Sequence, residues 1–87
     1  MDNRIQEVKY REMREILNHL PMLGVSVQQV AQITNMSVST IYNLRNGLFP
    51  SETKYRIIMS KITAEFPFEV AKAKELIKGE DAILGVN

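Results

Sequence analysis

The chain has 87 residues, of which 45% are apolar and 24% charged, with a formal net charge of +1, no cysteine and one histidine, His19. That length fits one domain, and a chain this short buries only about 60–65% of its unfolded surface. The composition excludes a disulfide framework, a thiolate nucleophile, a cysteine-ligated metal and a Ser–His relay, so no enzyme, metal or cofactor is expected.

Met1-Asp2-Asn3-Arg4 leads into mixed charge rather than an apolar leader, and no apolar run approaches membrane-spanning length. The expectation is a cytoplasmic chain, nucleoid-associated if it binds DNA, with no membrane partner. No stretch shows sustained period-two alternation, and the predicted class is all-α, a compact bundle of about five helices.

The first predicted helix runs from Arg4 to His19, with Ile5, Met13, Ile16, Leu17 and Leu20 on one side of a 3.6-residue wheel. Lys9 falls inside that stripe, so either its stem snorkels or the ordered helix begins late. Pro21 stops the helix because its ring and missing N–H cannot continue the ladder.

Ser26 is placed to cap a short second helix, Val27 to Thr34, with Gln29 completing a capping box and Val25 and Val30 a hydrophobic staple. Asn35, the non-glycine residue best suited to a left-handed stop, ends it. Ser37 caps a third helix, which closes at Gly47, and Met36 and Ile41 hold its staple positions. A fourth helix follows Ser51, with Glu52 at its positive end and Tyr55, Ile58, Ile62 and Phe66 facing inward. Pro67 ends it. Phe68 to Lys78 makes a fifth, with Val70, Ala73 and Ile77 inward and Gly79 as its stop. The domain is then residues 1–79, followed by a short apolar tail, residues 80–87.

Charge is unevenly spread along this plan. Residues 37–64 hold Arg45, Lys54, Arg56 and Lys61 against Glu52, a local balance of +3, whereas residues 65–87 are net −2. Positive charge therefore collects where a polyanion would be met.

The second and third helices, joined by a very short turn, make the most informative constellation. Where two such helices cross, a small residue is needed, and Ala31 stands there. Four positions later the turn needs positive φ, and Asn35 stands there. Val30, Met36, Ile41 and Leu44 anchor both helices, which leaves Ser39, Tyr42 and Asn43 outward.

This stretch, Val27 to Gly47, resembles the helix-turn-helix of the lambda repressor and Cro superfamily, with Ala31, Ser37, Thr40, Ile41, Leu44, Asn46 and Gly47 in register. Residues 50–58 resemble the segment after the recognition helix in those proteins and are also similar to the same region of the lactose-repressor family. A helix ahead of the motif favours the Cro arrangement. Asn35 stands where that family usually has glycine, and Val27 where many members have a phosphate-binding glutamine, with Gln28 one position later.

The resemblance implies sequence-specific binding of double-stranded DNA and a transcriptional regulator, a repressor of phage or mobile-element type. It also implies roles for individual residues. Val38, Ser39, Tyr42 and Asn43 are base-contact candidates, since an Asn amide pairs with adenine N6 and N7 and a Val methyl packs on thymine. Gln28, Ser37, Thr40, Arg45, Asn46, Lys54 and Arg56 are phosphate-contact candidates, which position a protein without reading sequence. Family members commonly pair on palindromic half-sites, so a homodimer is expected. The fifth helix with Ile83, Leu84 and Val86 is the candidate surface for it, or for a protein partner. Two other readings stay open: a helix-turn-helix-shaped protein-interaction module such as an antitoxin, antirepressor or adaptor, and a DNA-bending or packaging component.

Overall fold

The computed structural model describes the backbone of residues 3–83 and the side chains of residues 8–79. Its helices are α1 (Asn3–His19), α2 (Val27–Thr34), α3 (Val38–Arg45), α4 (Glu52–Glu65) and α5 (Pro67–Ile83), with a 3₁₀ turn at Leu20–Leu23. The class is all-α, and no strand occurs among the described residues.

The turns explain the layout. Pro21 ends α1 but sits at the start of the 3₁₀ turn, where a missing N–H costs nothing. Gly24, at φ 92°, closes that turn and lets Val25 N–H reach Leu20 O at 3.0 Å. Ser26 caps α2 through a complete capping box: its hydroxyl accepts from Gln29 N–H at 3.1 Å, and Gln29 Oε1 accepts from Ser26 N–H at 2.8 Å. Both staple residues, Val25 and Val30, are buried.

Asn35 takes the left-handed conformation, φ 56°, and Met36 N–H bonds back to Ala31 O at 3.0 Å. The paired bond from Asn35 N–H to Gln32 O completes a Schellman closure. Ser37 then caps α3 by accepting from Thr40 N–H at 3.1 Å. At the far end Gly47, at φ 109°, repeats the closure, with Leu48 N–H bonding to Asn43 O and Gly47 N–H to Leu44 O. A β-carbon at that φ is strained, which is why glycine stands there. Ser51 caps α4 through Lys54 N–H.

α5 departs from the sequence expectation. It begins at Pro67 and runs through Gly79 to Ile83 instead of stopping at Lys78. Gly79 is not at positive φ, so it is a helix-interior glycine, which lowers helix stability by about 1 kcal/mol without ending the helix. Residues 80–83 are thus helical in backbone, while Leu84 and Val86 lie outside the described residues, as do the side chains of Ile5 and Ile83.

One core joins all five helices. Met13, Ile16 and Leu17 of α1 meet Val30 and Ala31 of α2, Ile41 and Leu44 of α3, Ile58 and Ile62 of α4, and Val70 and Ala73 of α5. Fully burying each large aliphatic side chain contributes about 1.5–3 kcal/mol. Tyr55, Phe66 and Ile77, expected inside, are only half-buried and pack against that core. α2 packs on both α3 and α4, and α5 lies against α1 and α4. The anchoring of α3 by Ile41 and Leu44 decides which of its faces is left for solvent.

Candidate nucleic-acid interface

With Ile41 and Leu44 inside, helical geometry turns the opposite side of α3 outward. Ser39, Tyr42, Asn43 and Asn46 are all exposed, at a spacing of three, four and seven residues, so they form one stripe. Tyr42 is 46% exposed, and the Arg45 guanidinium lies 5.6 Å from its ring centroid. Asn43 is exposed and carries both a donor and an acceptor. Val38 sits at the margin of this stripe, half-buried and packed against the core.

The phosphate-contact candidates divide by what already holds them. Ser37 and Thr40 share a hydrogen bond, Oγ to Oγ1 at 2.8 Å, and the Ser37 hydroxyl also caps α3. Gln28, Asn46 and Lys54 are exposed. Arg45 is half-buried at the end of α3, and its Nε donates to Asn18 Oδ1 of α1 at 3.0 Å. Arg56 is exposed but lies 3.3 Å from Glu52 one turn back.

Glu52 anchors a second cluster that composition could not show. Lys9 Nζ of α1 lies 2.8 Å from both Glu52 carboxylate oxygens and 4.7 Å from the Tyr55 ring centroid. Tyr10 hydroxyl donates to Glu52 Oε2 at 3.3 Å, and its ring lies 5.4 Å from those of Phe49 and Tyr55. The Lys9 stem therefore does snorkel, over aromatic rings, and α1 is helical beneath it. This cluster ties the α3–α4 corner to α1.

The Lys9 hydrogen bond holds the Glu52 carboxyl below its ordinary range, and the same bond holds the Lys9 ammonium above its own. A lowered carboxylate contributes stability that is present above its unfolded value and lost as pH falls through the folded one. A raised amine contributes stability that is lost as pH rises through its folded value. The pair is intact at neutral pH and fails first in acid. Because both groups are exposed, the effect is small. Between neutral pH and about pH 3 the wild-type melting temperature should therefore fall slightly more than that of a Lys9→Met/Glu52→Gln double variant. Parallel melting curves across that range would show that the pair contributes nothing.

His19 is buried, and its Nδ1–H donates to Glu15 O at 2.7 Å, a hook onto its own helix. Among the described residues no group of three or more His, Cys, Asp or Glu is arranged to hold a metal ion. No helix among them is long and apolar enough to cross a membrane.

Comparisons with protein-family models, with curated proteins and with solved structures found no match. The site consists of a short helix with a polar outward stripe, preceded by a second short helix across a left-handed turn. Asn18 and Lys9, both on α1, hold the two ends of the α3–α4 corner, at Arg45 and Glu52.

Proposed function

We propose that this chain is a sequence-specific double-stranded DNA-binding protein that regulates transcription, as a repressor of phage or mobile-element type, and that α3 is its recognition helix. The observation that carries the reading is the exposed stripe Ser39, Tyr42, Asn43 and Asn46, on a helix whose other face is anchored by Ile41 and Leu44. An α-helix with polar side chains on its outward face fits the major groove, where every base pair presents a distinct hydrogen-bonding edge. The resemblance of residues 27–47 to the lambda repressor and Cro helix-turn-helix supports the same reading. So does the excess of positive charge between residues 37 and 64.

In this mechanism the base-edge contacts come from Ser39, Tyr42 and Asn43, with the Val38 methyls at the rim of the stripe. Phosphates are met by Gln28, Arg45, Asn46 and Lys54, and by Arg56 when its exposed pair with Glu52 exchanges for a phosphate oxygen. Such an exposed pair is worth about 0–1 kcal/mol, so the exchange is inexpensive. A module of this size buries roughly 600–1,000 Å² on DNA, which favours two copies on a palindromic site.

Selection of bound sequences from a random duplex library tests the proposal. An enriched motif is the expected result, palindromic if two copies bind, and an unenriched pool would contradict sequence-specific reading. Lys54→Ala should weaken binding about equally on all duplexes and lower the log–log salt slope by about 1. An unchanged slope would remove Lys54 from the phosphate contacts.

A protein-interaction module is the second reading, favoured by one observation: Leu48 and Phe49, in the corner between α3 and α4, are 58% and 57% exposed. Retention of duplex DNA that weakens steeply with salt decides for the first reading, and no retention at low salt decides for the second.

A further inference from the structure

Arg45, a cation of the proposed interface, is held by a residue of another helix through a hydrogen bond at both its side chain and its backbone. Asn18, one residue before the end of α1, accepts from Arg45 Nε–H at 3.0 Å through Oδ1. Its Nδ2 donates to the Arg45 carbonyl at 3.4 Å. Both halves of one amide are thus spent on one residue, 27 positions away in sequence.

The consequences are geometric. A guanidinium carries five N–H donors in a fixed plane. Fixing Nε sets that plane while leaving the two terminal nitrogens for another acceptor. The Tyr42 ring, 5.6 Å from the guanidinium carbon, borders the group on the α3 side. Among the described residues no carboxylate lies within ion-pair distance of Arg45, in contrast to Lys9, Arg56 and Lys72. Among the described residues the charge is thus oriented and without an ion-pair partner at the exit of α3. An oriented guanidinium suits an anion that offers two oxygens side by side, and the anion that the proposed function supplies at this edge is a backbone phosphodiester with its two non-bridging oxygens.

We infer that Asn18 is a positioning residue: it pre-orders the Arg45 side chain so that its terminal nitrogens meet a DNA phosphate. This inference rests on the proposed DNA-binding function. Its physical basis is entropy. A long side chain immobilised on binding weakens association, and one already held in the free protein does so less. A purely structural tether between α1 and α3 predicts a lower melting temperature and nothing more.

The test uses wild type, Asn18→Ala, Arg45→Ala and the double variant, titrated with one selected duplex across a range of salt, well below each melting temperature. Asn18→Ala should bind about three- to tenfold more weakly with an unchanged salt slope, since no charge is removed. Arg45→Ala should lower the slope by about 1, and the double variant should bind no more weakly than Arg45→Ala alone. Unchanged affinity of Asn18→Ala, or additive losses in the double variant, would overturn the inference while leaving DNA binding intact. Wild type that retains no duplex would overturn the proposed function and this inference with it.

Should Asn18→Ala fail to fold, Arg45→Lys carries the test, because lysine keeps the charge and lacks the Nε–H. It should bind several-fold more weakly at an unchanged slope, and binding equal to wild type would overturn the inference. The free protein gives an independent readout. The Arg45 Nε–H proton should exchange with solvent more slowly than that of Arg11, which is exposed and has no hydrogen-bond partner among the described residues, and equal exchange would show that the clamp does not persist in solution.

Discussion

Ala31→Leu should destabilise the protein by about 1–3 kcal/mol, the usual effect of forcing extra methylenes into a packed site. Ala31 is 5% exposed and lies in the core where α2 packs against α3 and α4. Its carbonyl accepts both the Met36 N–H at 3.0 Å and the Thr34 hydroxyl at 3.2 Å, so the backbone there has little freedom to retreat. Three added carbons must therefore push α3 or α4 outward, which loosens Ile41, Leu44 and Ile58 together. Domains of this size have total stabilities of about 4–13 kcal/mol, so the loss is a large share. Each kcal/mol should appear as a drop of roughly 4–8 °C in melting temperature. A variant that melts with wild type would show that α2 and α3 do not cross tightly at Ala31, and the helix-turn-helix reading would lose its main packing constraint.

The parts of this fold that were legible in the sequence are those decided within a few residues. The capping box of Ser26 and Gln29, the left-handed Asn35, the Ser37 and Ser51 caps and the Gly47 closure are all local hydrogen-bond solutions, and each forms as expected. Helical spacing likewise placed Ile41 and Leu44 inside and Ser39, Tyr42 and Asn43 outside.

The end of α5 was not legible, because glycine can stand either at a left-handed stop or, at a modest cost, inside a helix, and no proline follows Gly79 to decide between them. The clamps at Arg45 and Glu52 were also hidden. Their partners, Asn18 and Lys9, lie 27 and 43 residues away, and only the packing angle of α1 brings them there. Val38 illustrates an intermediate case: as the first residue of α3 it faces both the core and the stripe, which spacing alone does not resolve.

Asn43→Ala should cost about 1–3 kcal/mol on the preferred duplex and little on random DNA, without altering the melt. Asn43 is exposed on α3, one residue before buried Leu44 and two after buried Ile41. Its backbone carbonyl accepts the Leu48 and Asn46 N–H groups, but those bonds use only the main chain and survive the substitution. The side-chain amide is left to pair with an adenine edge through one donor and one acceptor. Equal losses on selected and random duplexes would make Asn43 a backbone contact. No loss on either would remove it from the interface.

The central claim, that α3 reads base sequence, is tested most directly by the affinity ratio of wild-type protein for its selected duplex over random duplex at one fixed, near-physiological salt concentration. Sequence-specific regulators prefer their sites by about 10³ or more, and a ratio of that order, reduced about 5- to 150-fold by Asn43→Ala, is the result predicted here. A ratio near one, unmoved by Asn43→Ala, would contradict it.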